Sequence, residues 1–269
     1  MSFIDEIKDR ARKDIKTIVL PGAEDVRILK ATQKVIEEGY AKIVLIGNEE
    51  KVTKIANENN INIEGVKIVD PITSKDYDKY VELLYELRKS KGMTLQQAKE
   101  LVKDPVYFGM LMLKDEESNV DGLVSGAIHS TSDTLRPALQ ILKTAKDTKL
   151  VSAFFVMVVP DCDYGENGTF IFADAGLNEN PGEEALAEIA ISSSKSFRQL
   201  VQKEPKVAML SYSTHGSAKS DLTKKVISAT QKVKDMAPDL KVDGELQLDA
   251  AIVPEIAQMK APTSPLKGE

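Results

Sequence analysis

Two hydroxyl-rich segments of this sequence each follow an apolar run typical of a strand, and each precedes a helical pattern. They are residues 127–134 and 211–217, and the two histidines of the chain, His129 and His215, lie in them. The first turn of a helix offers unpaired N–H groups and partial positive charge, which together favour an anion. The repeated pattern therefore predicts a site for phosphate or another oxyanion between two similar lobes.

Hydroxyl and glycine residues of both segments are candidate ligands of that anion. Taken singly, each hydroxyl is more commonly a helix cap than a ligand. As two clusters they favour binding, and Gly126 and Gly216 would let the backbone approach a ligand closely. The candidate hydroxyls are Ser130, Thr131, Thr134, Ser211, Ser213, Thr214 and Ser217.

Arg136 is the first candidate for a charged contact with the anion. We place it in the first turn of the helix that follows segment 127–134, where Pro137 is tolerated because first-turn N–H groups have no helical partner. The helix dipole disfavours a cation there unless an anion lies nearby. A forked guanidinium also matches the oxygens of a phosphate. The alternative is a surface ion pair between Arg136 and Asp133.

Arg88 is the second candidate cation. In the helix predicted for residues 76–89, a rotation of about 100° per residue gathers the apolar side chains on one arc. Arg88 falls inside that arc, where a charge needs a partner. The alternative is an arginine at a helix end that extends its charge into water and favours the dipole. The arc contains Tyr80, Val81, Leu83, Leu84, Tyr85 and Leu87.

Four other residues have both a functional and a structural interpretation. His129 and His215 can act as acid or base, although a histidine in a polar turn more commonly only forms hydrogen bonds. Cys162 lies between two aspartates, which disfavour a nucleophilic thiolate. Asp174 ends an apolar run, where α/β proteins place ligands, but it equally suits the capping of the next turn.

The composition excludes several classes of function. A net charge of −6 over 269 residues leaves no basic surface for nucleic acid. The single cysteine excludes an intrachain disulfide and fits a reducing compartment. There is no apolar signal-peptide core and no run long enough to span a membrane. We therefore expect a cytoplasmic protein with neither a membrane nor a nucleic acid as partner.

Several enzyme motifs are missing from the sequence. It has no Gly-x-x-x-x-Gly-Lys-Ser/Thr loop, no Gly-x-Gly-x-x-Gly loop and no Gly-x-Ser-x-Gly elbow. One cysteine and two separated histidines cannot form a zinc site without several carboxylates. The sequence thus disfavours ATP hydrolysis, nicotinamide chemistry and serine hydrolysis, and we expect neither a metal nor a tightly bound cofactor.

The elements that must position these residues follow a strand–helix alternation. The strands are almost continuously apolar, which is typical of a parallel sheet covered by helices on both faces. We predict two α/β domains, residues 1–145 and 146–269, each with a mainly parallel sheet. The predicted strands lie near residues 17–22, 41–47, 66–70 and 120–126 in the first domain and near 149–158, 169–174 and 207–213 in the second.

Five long motifs in order resemble those of the phosphate acetyl/butyryltransferase family, and of phosphate acetyltransferases in particular. The resemblance covers essentially the whole chain. Its motifs are SGAIHSTSDTLRPALQ at 125–140, DCDYG at 161–165, FADAGLN at 172–178, LSYSTHGSA at 210–218 and DGELQLDAA at 243–251.

The resemblance implies a fold like that of isocitrate and isopropylmalate dehydrogenases, an active site in the cleft between the domains, and a homodimer. It implies reversible acetyl transfer between CoA and phosphate, in which an aspartate deprotonates the thiol and arginines stabilise the developing charge. The substrates would be CoA, acetyl-CoA, phosphate and acetyl phosphate. Arg88 and Arg136 match the family's substrate-contacting arginines, and Cys162 matches a cysteine near its active site.

The sequence departs from the family at its end. Family members continue past a segment like 260–269 into an Asn-Asp-Leu-Ser-Arg-Gly motif that completes both domains. The aspartate base of the family has no counterpart among these 269 residues. We therefore expect the chain to be a fragment or a truncated form with little or no turnover.

Other functions stay open at this level. One is a non-catalytic protein that binds an acyl phosphate or CoA, and another is a phosphate butyryltransferase. A metal- and nicotinamide-dependent hydroxyacid dehydrogenase shares the implied fold, but no evident cluster of carboxylates supports it.

Overall fold

The structure is a computed structural model that describes residues 2–146 and 148–269. It divides into two compact units, Met1–Lys143 and Thr144–Glu269, which we call the first and second units. Within the described residues, no helix is both long and apolar enough to cross a membrane.

The first unit alternates strands and helices, as the sequence predicts. Its helices and strands in chain order are α1 Phe3–Lys13, β1 Lys16–Pro21, α2 Val26–Glu38, β2 Ala41–Ile46, α3 Glu49–Glu58, β3 Lys67–Val69, α4 Tyr77–Arg88, α5 Leu95–Leu101, α6 Pro105–Lys114, β4 Gly122–Leu123 and α7 Thr131–Ile141.

The four strands of the first unit form one parallel sheet in the order β3-β2-β1-β4. One core packs α4, α6 and α7 around buried Tyr80, Phe108 and Ile141. A second core packs α2 and α3 around buried Leu29 and Val52. The predicted parallel sheet with helices on both faces is thereby confirmed for this unit.

Helix α7 begins earlier than the sequence analysis places it. Ser130 is its N-cap and Thr131 its first residue, so the hydroxyl run is the first turn of the helix. The reason is a capping box, in which Ser130 and Asp133 satisfy each other's N–H groups. Strand β4 is also much shorter than the predicted 120–126, since only Gly122–Leu123 pairs with β1.

The second unit contains short sheets and longer helices. Its elements are β5 Phe154–Val158, β6 Thr169–Ala173, α8 Glu183–Val201, β7 Lys206–Leu210, α9 Asp221–Met236, β8 Lys241–Leu246, α10 Leu248–Ile252 and α11 Pro254–Lys260. Helices α8 and α9 pack on β7 and β8 around buried Ala187, Ala229 and Val233.

The prediction of a mainly parallel sheet in this unit is wrong for its first ladder. Strands β7 and β8 are parallel, but β5 and β6 are antiparallel. A parallel pair needs a crossover of a dozen or more residues, usually through a helix. Only residues 159–168 join β5 to β6, and the chain reverses there with positive φ at Asp161, Gly165, Asn167 and Gly168.

Candidate functional site

The hydroxyl groups that begin α7 are mostly bonded to one another. Ser130 Oγ donates to Asp133 Oδ2 at 2.6 Å, and the Asp133 N–H donates back to Ser130 Oγ at 3.2 Å. Hydrogen bonds from the side chain and the N–H of Ser130 hold the pKa of Asp133 below its ordinary value, with a smaller effect from the charge of Arg136. Capping, which the sequence analysis considers the commoner role of a single hydroxyl, is confirmed for Ser130.

The residues just before α7 are held by Gly22, which follows β1, and by Arg27 of α2. Gly22, which follows β1, has φ +80°, and a Cβ there would lie 2.7 Å from Ile128 Cδ1. Arg27 Nη2 donates to the Ala127 carbonyl at 2.8 Å. Within the segment, His129 Nδ1 lies 3.2 Å from Ser125 Oγ, so this histidine takes part in a hydrogen bond.

Thr131 and Thr134 differ in how available they are. Thr131 is exposed at the first helical position. Thr134 is half-buried, and its Oγ1 donates to Ser125 Oγ at 3.2 Å. Thr131 is therefore free to meet a ligand, whereas Thr134 already supports the segment.

Arg136 lies in the second turn of α7, so its predicted place in the first turn is wrong. Pro137 is the seventh helical residue, and it cannot supply the N–H that would bond to the carbonyl of Asp133. The Arg136 side chain is exposed, and its guanidinium forms no hydrogen bond or ion pair within residues 2–146 and 148–269. The alternative of a surface ion pair with Asp133 is therefore not what the structure contains.

Arg88 ends α4 and is half-buried, in agreement with its predicted place on the apolar arc. Its Nε is buried and has no hydrogen-bond partner among the described residues. A buried donor without an acceptor costs about 1–3 kcal/mol, and more when it is charged. The guanidinium of Arg88 therefore lacks an acceptor of the kind that an anion supplies.

The two arginines act on the same buried hydroxyl. Burial raises the pKa of the Tyr107 phenol, and the positive charges of Arg136 and Arg88 oppose that rise. The Tyr107 hydroxyl donates to Gln140 Oε1 at 2.9 Å. Helices α4, α6 and α7 pack on each other, so Arg88 and Arg136 lie on neighbouring helices although they are far apart in sequence.

The second segment is organised differently, because two of its hydroxyl residues are buried. Ser213 is fully buried and Thr214 is 5% exposed. Ser211 is half-buried, and its Oγ accepts from the Ser213 N–H at 3.3 Å. Residues 215–217 are exposed and form the rim of the segment. Helix α9 begins only at Asp221 with Ser220 as its cap, so these hydroxyls do not lie in its first turn.

Alternate residues at the end of β8 hold this segment in place. Glu245 Oε1 accepts from Ser213 Oγ and from the Gly216 N–H, both at 2.8 Å. His215 Nε2 lies 3.1 Å from Asp243 Oδ2. The Gln247 N–H donates to Thr214 Oγ1 at 2.9 Å. We call these three residues of β8 and its end, Asp243, Glu245 and Gln247, the β8 clamp.

The remaining candidates lie elsewhere in the second unit. Cys162 is half-buried in the loop that joins β5 to β6. Asp174 accepts from the N–H groups of Leu177 and Asn178 at 2.7 and 3.2 Å, which confirms its capping role. A cavity of about 850 Å³ between β6 and β7 is lined by Asp174 but by none of the candidate hydroxyls.

Sequence reasoning missed Tyr107, Gln140 and Glu245. Gln140 and Glu245 stand inside motifs of the family resemblance, and that was the one signal that could have found them. Tyr107 carries no such signal, because a tyrosine in an apolar helix is ordinarily a core residue.

The fold and these contacts define an α/β protein whose first unit carries, on neighbouring helices, two arginines that have no partner among the described residues. The family model described as phosphate acetyl/butaryl transferase matches residues 2–269. The chain belongs to this family, and the resemblance predicted from the sequence is confirmed.

Similar proteins include two phosphate acetyltransferases and one solved structure. The chain is 58% identical over 269 residues to the enzyme of Acetivibrio thermocellus, covering 100% of this chain and 80% of that protein. It is 50% identical over 268 residues to that of Thermoanaerobacterium thermosaccharolyticum, again covering 100% and 80%. The structure superposes on the EutD phosphotransacetylase from Staphylococcus aureus with a TM-score of 0.89 at 39% identity, over 99% of this chain and 79% of that one.

Proposed function

We propose that the protein is a phosphate acetyltransferase, which catalyses acetyl-CoA + phosphate ⇌ acetyl phosphate + CoA. The observation that carries this function is the 58% identity to a phosphate acetyltransferase over all 269 residues. Arg88 and Arg136 lie on neighbouring helices and have no partner among the described residues, which supports this function because phosphate, acetyl phosphate and CoA are all anions.

The reaction transfers an acetyl group without a redox change. In the direction of acetyl-CoA formation, a base takes the thiol proton and the sulfur attacks the carbonyl carbon of acetyl phosphate. The bond between that carbon and the bridging oxygen breaks, and phosphate leaves with the electron pair and takes up a proton. Holding both substrates in one complex removes most of the entropic barrier to this attack.

Arg88 and Arg136 are proposed to bind the phosphoryl group. The charge that develops on the bridging oxygen and on the carbonyl oxygen is stabilised most by cations that are already in place. Arg88 is held at the end of α4 with a buried, unpaired Nε, and Arg136 extends from α7 into solvent. One buried donor and one exposed donor suit a substrate that must enter and leave.

Each hydroxyl-rich segment is proposed to contact substrate in its own unit. In the first unit, Ser130, Thr131 and Thr134 stand at the start of the helix that carries Arg136. In the second unit, the exposed Gly216 presents backbone, while Ser211, Ser213 and Thr214 shape the segment behind it. Cys162 is proposed to lie near the site without forming a covalent intermediate.

CoA and acetyl-CoA are proposed to bind as substrates, with no tightly held cofactor. A homodimer and a cytoplasmic location are proposed as well. The homodimer rests on the family resemblance alone. The location rests on the single cysteine, which fits a reducing compartment.

A thioester assay tests the function. The full-length product of the gene is purified and mixed with acetyl phosphate and CoA, and acetyl-CoA formation is followed by the absorbance of the thioester bond. We expect acetyl-CoA to form only when both substrates are present, and faster than with butyryl phosphate in place of acetyl phosphate. A folded protein that binds CoA and acetyl phosphate by calorimetry but never forms the thioester would instead be a non-catalytic binding protein.

A further inference from the structure

The carboxyl group of Glu245 is buried, and its hydrogen-bond partners lie outside β8. The residue is 2% exposed at the end of β8. Its described partners are Ser213 Oγ and the Gly216 N–H, and no cation pairs with it within residues 2–146 and 148–269. A buried carboxyl group is costly unless hydrogen bonds compensate it, so both of these contacts matter for its placement.

Ser213 in turn depends on Glu245 for its hydrogen bond. Ser213 is fully buried, and its hydroxyl would lose its acceptor if Glu245 were removed. Ser213 Oγ in turn accepts from the Ala218 N–H at 3.0 Å. A single carboxyl oxygen therefore ends a short chain of hydrogen bonds that fixes the segment on both sides of its rim.

The rim itself has an unusual backbone. His215 has φ 44° and Gly216 has φ 82°, so two successive residues are left-handed. This conformation is unfavourable for a residue with a Cβ and persists only where the surroundings hold it. Glu245 contributes one hold at each of the two residues, since its carboxyl accepts from the Gly216 N–H and its carbonyl accepts from the His215 N–H at 3.2 Å.

The strand that carries Glu245 packs closely against its neighbours. A Cβ on Gly244 would lie 2.6 Å from Met209 Cβ and 2.8 Å from Thr230 Oγ1, so β8 is pressed against β7 and α9. Glu245 is thus a rigid support, and the exposed residues 215–217 are the part that it presents to solvent.

We infer that Glu245 is a positioning residue for the acetyl transfer: it holds the exposed rim 215–217 in the left-handed conformation that the reaction requires. This inference rests on the proposed function. Glu245 does not touch the substrate, because it lies behind the rim and is buried.

The test, made in the full-length product of the gene, compares Glu245→Ala with Glu245→Gln and with a matched buried carboxylate. Misplacement of a substrate-facing segment lowers the rate of the step itself, so Glu245→Ala is expected to lower kcat about tenfold to hundredfold with little change in KM. Glu245→Gln keeps an oxygen acceptor of the same shape and is expected to restore most of kcat. Ser213→Ala removes one of the two contacts and is expected to lower kcat less than Glu245→Ala does.

Asp115→Ala is the control, because Asp115 is a carboxylate of the first unit with a 10% exposed side chain that holds Lys79 and Tyr80. It is expected to lower the melting temperature and leave kcat unchanged. Amide hydrogen exchange of residues 213–217 is measured on the same variants, and only Glu245→Ala and Ser213→Ala are expected to accelerate it.

Wild-type kcat and unchanged exchange in a folded Glu245→Ala variant would overturn the inference. If Glu245→Ala does not fold, the same two results for Ser213→Ala would overturn it. A wild-type protein with no turnover would contradict the proposed function instead, and unchanged exchange in Glu245→Ala would then still overturn the support that Glu245 gives to the rim.

Discussion

Segment 127–134 of the first unit and segment 211–217 of the second unit share a hydroxyl-rich composition but are built in opposite ways. Ser130, Thr131 and Asp133 are exposed and form the first turn of α7. Ser213 and Thr214 are buried and bonded to the β8 clamp. The first segment is held by its own capping box, whereas the second is held by a strand about 30 residues later in the chain.

This difference shows which unit contributes positive charge and which unit contributes a rigid backbone. The first unit supplies Arg88 and Arg136, which have no partner among the described residues, together with a segment that caps its own helix. The second unit fixes the backbone of the rim by buried acceptors. Substitutions in the first segment should therefore act on substrate affinity, and substitutions behind the second should act on geometry.

The largest effect is expected from the arginines. Arg136→Ala removes a charge-assisted contact worth about 1.5–3 kcal/mol, so we expect kcat/KM for acetyl phosphate to fall about tenfold to hundredfold. Arg136→Lys keeps the positive charge without the forked guanidinium, and we expect its kcat/KM to lie between those of wild type and Arg136→Ala. Steady-state kinetics with acetyl phosphate as the varied substrate measure this.

Arg198→Ala is the matched control, since Arg198 is a partly exposed arginine that pairs with Glu204 in the second unit. We expect it to have wild-type kinetics. Wild-type kinetics for Arg136→Ala would remove Arg136 from the site and with it the proposed contrast between the segments.

A smaller effect is expected from the caps. Ser130 and Ser220 each form a capping box, with Asp133 and Thr223 respectively. Loss of such a cap costs about 1 kcal/mol, so Ser130→Ala and Ser220→Ala should lower the free energy of unfolding by similar amounts in urea titrations. Only Ser130→Ala should also raise KM for acetyl phosphate. Equal kinetics in the two variants would show that Ser130 is a cap and nothing more.

The smallest effect concerns pH and the β8 clamp. Burial alone would raise the pKa of Asp243, but hydrogen bonds from Ser264, the Gly244 N–H and His215 outweigh burial and hold it below its ordinary value. Lys234 also faces this carboxylate at 3.4 Å. The unfolded chain then binds a proton more readily than the folded one, so stability is present above the unfolded pKa and is lost as the pH falls through the folded pKa.

Asp243→Asn removes that dependence. We expect wild type to be more stable than Asp243→Asn at about pH 7 and the difference to shrink at about pH 3. Urea unfolding at both values measures it. A difference that is equally large at both would show that the charge of Asp243 does not stabilise the second unit.

The sequence predicts the first unit well because its signals are local. The apolar runs of β1 and β2 and the arc that buries Tyr80 and Leu84 depend on residues close together in the chain. The start of α7 was also readable in principle, since Ser130 and Asp133 have the spacing of a capping box. The run of hydroxyl residues makes the helix start hard to recognise, because the same residue types are common in turns.

The second unit could not be predicted as well, because its contacts are distant in sequence. Periodicity cannot show that Ser213 is buried, since its acceptor is Glu245 on another strand. It also cannot show that β5 and β6 are antiparallel, because a buried strand has the same pattern in either direction. The placement of Arg88 and Arg136 on neighbouring helices likewise depends on helix packing and not on either local pattern.

The most direct test of the account is whether an anion binds at Arg88 and Arg136. The Nε–H signals of the arginines are observed by NMR and assigned with Arg88→Lys and Arg136→Lys, and acetyl phosphate is then titrated in. We predict that the Arg88 and Arg136 signals shift together with one saturation curve, while the Arg198 signal, already paired with Glu204, does not move. Signals of Arg88 and Arg136 that stay unchanged while acetyl phosphate binds elsewhere on the protein would contradict the account.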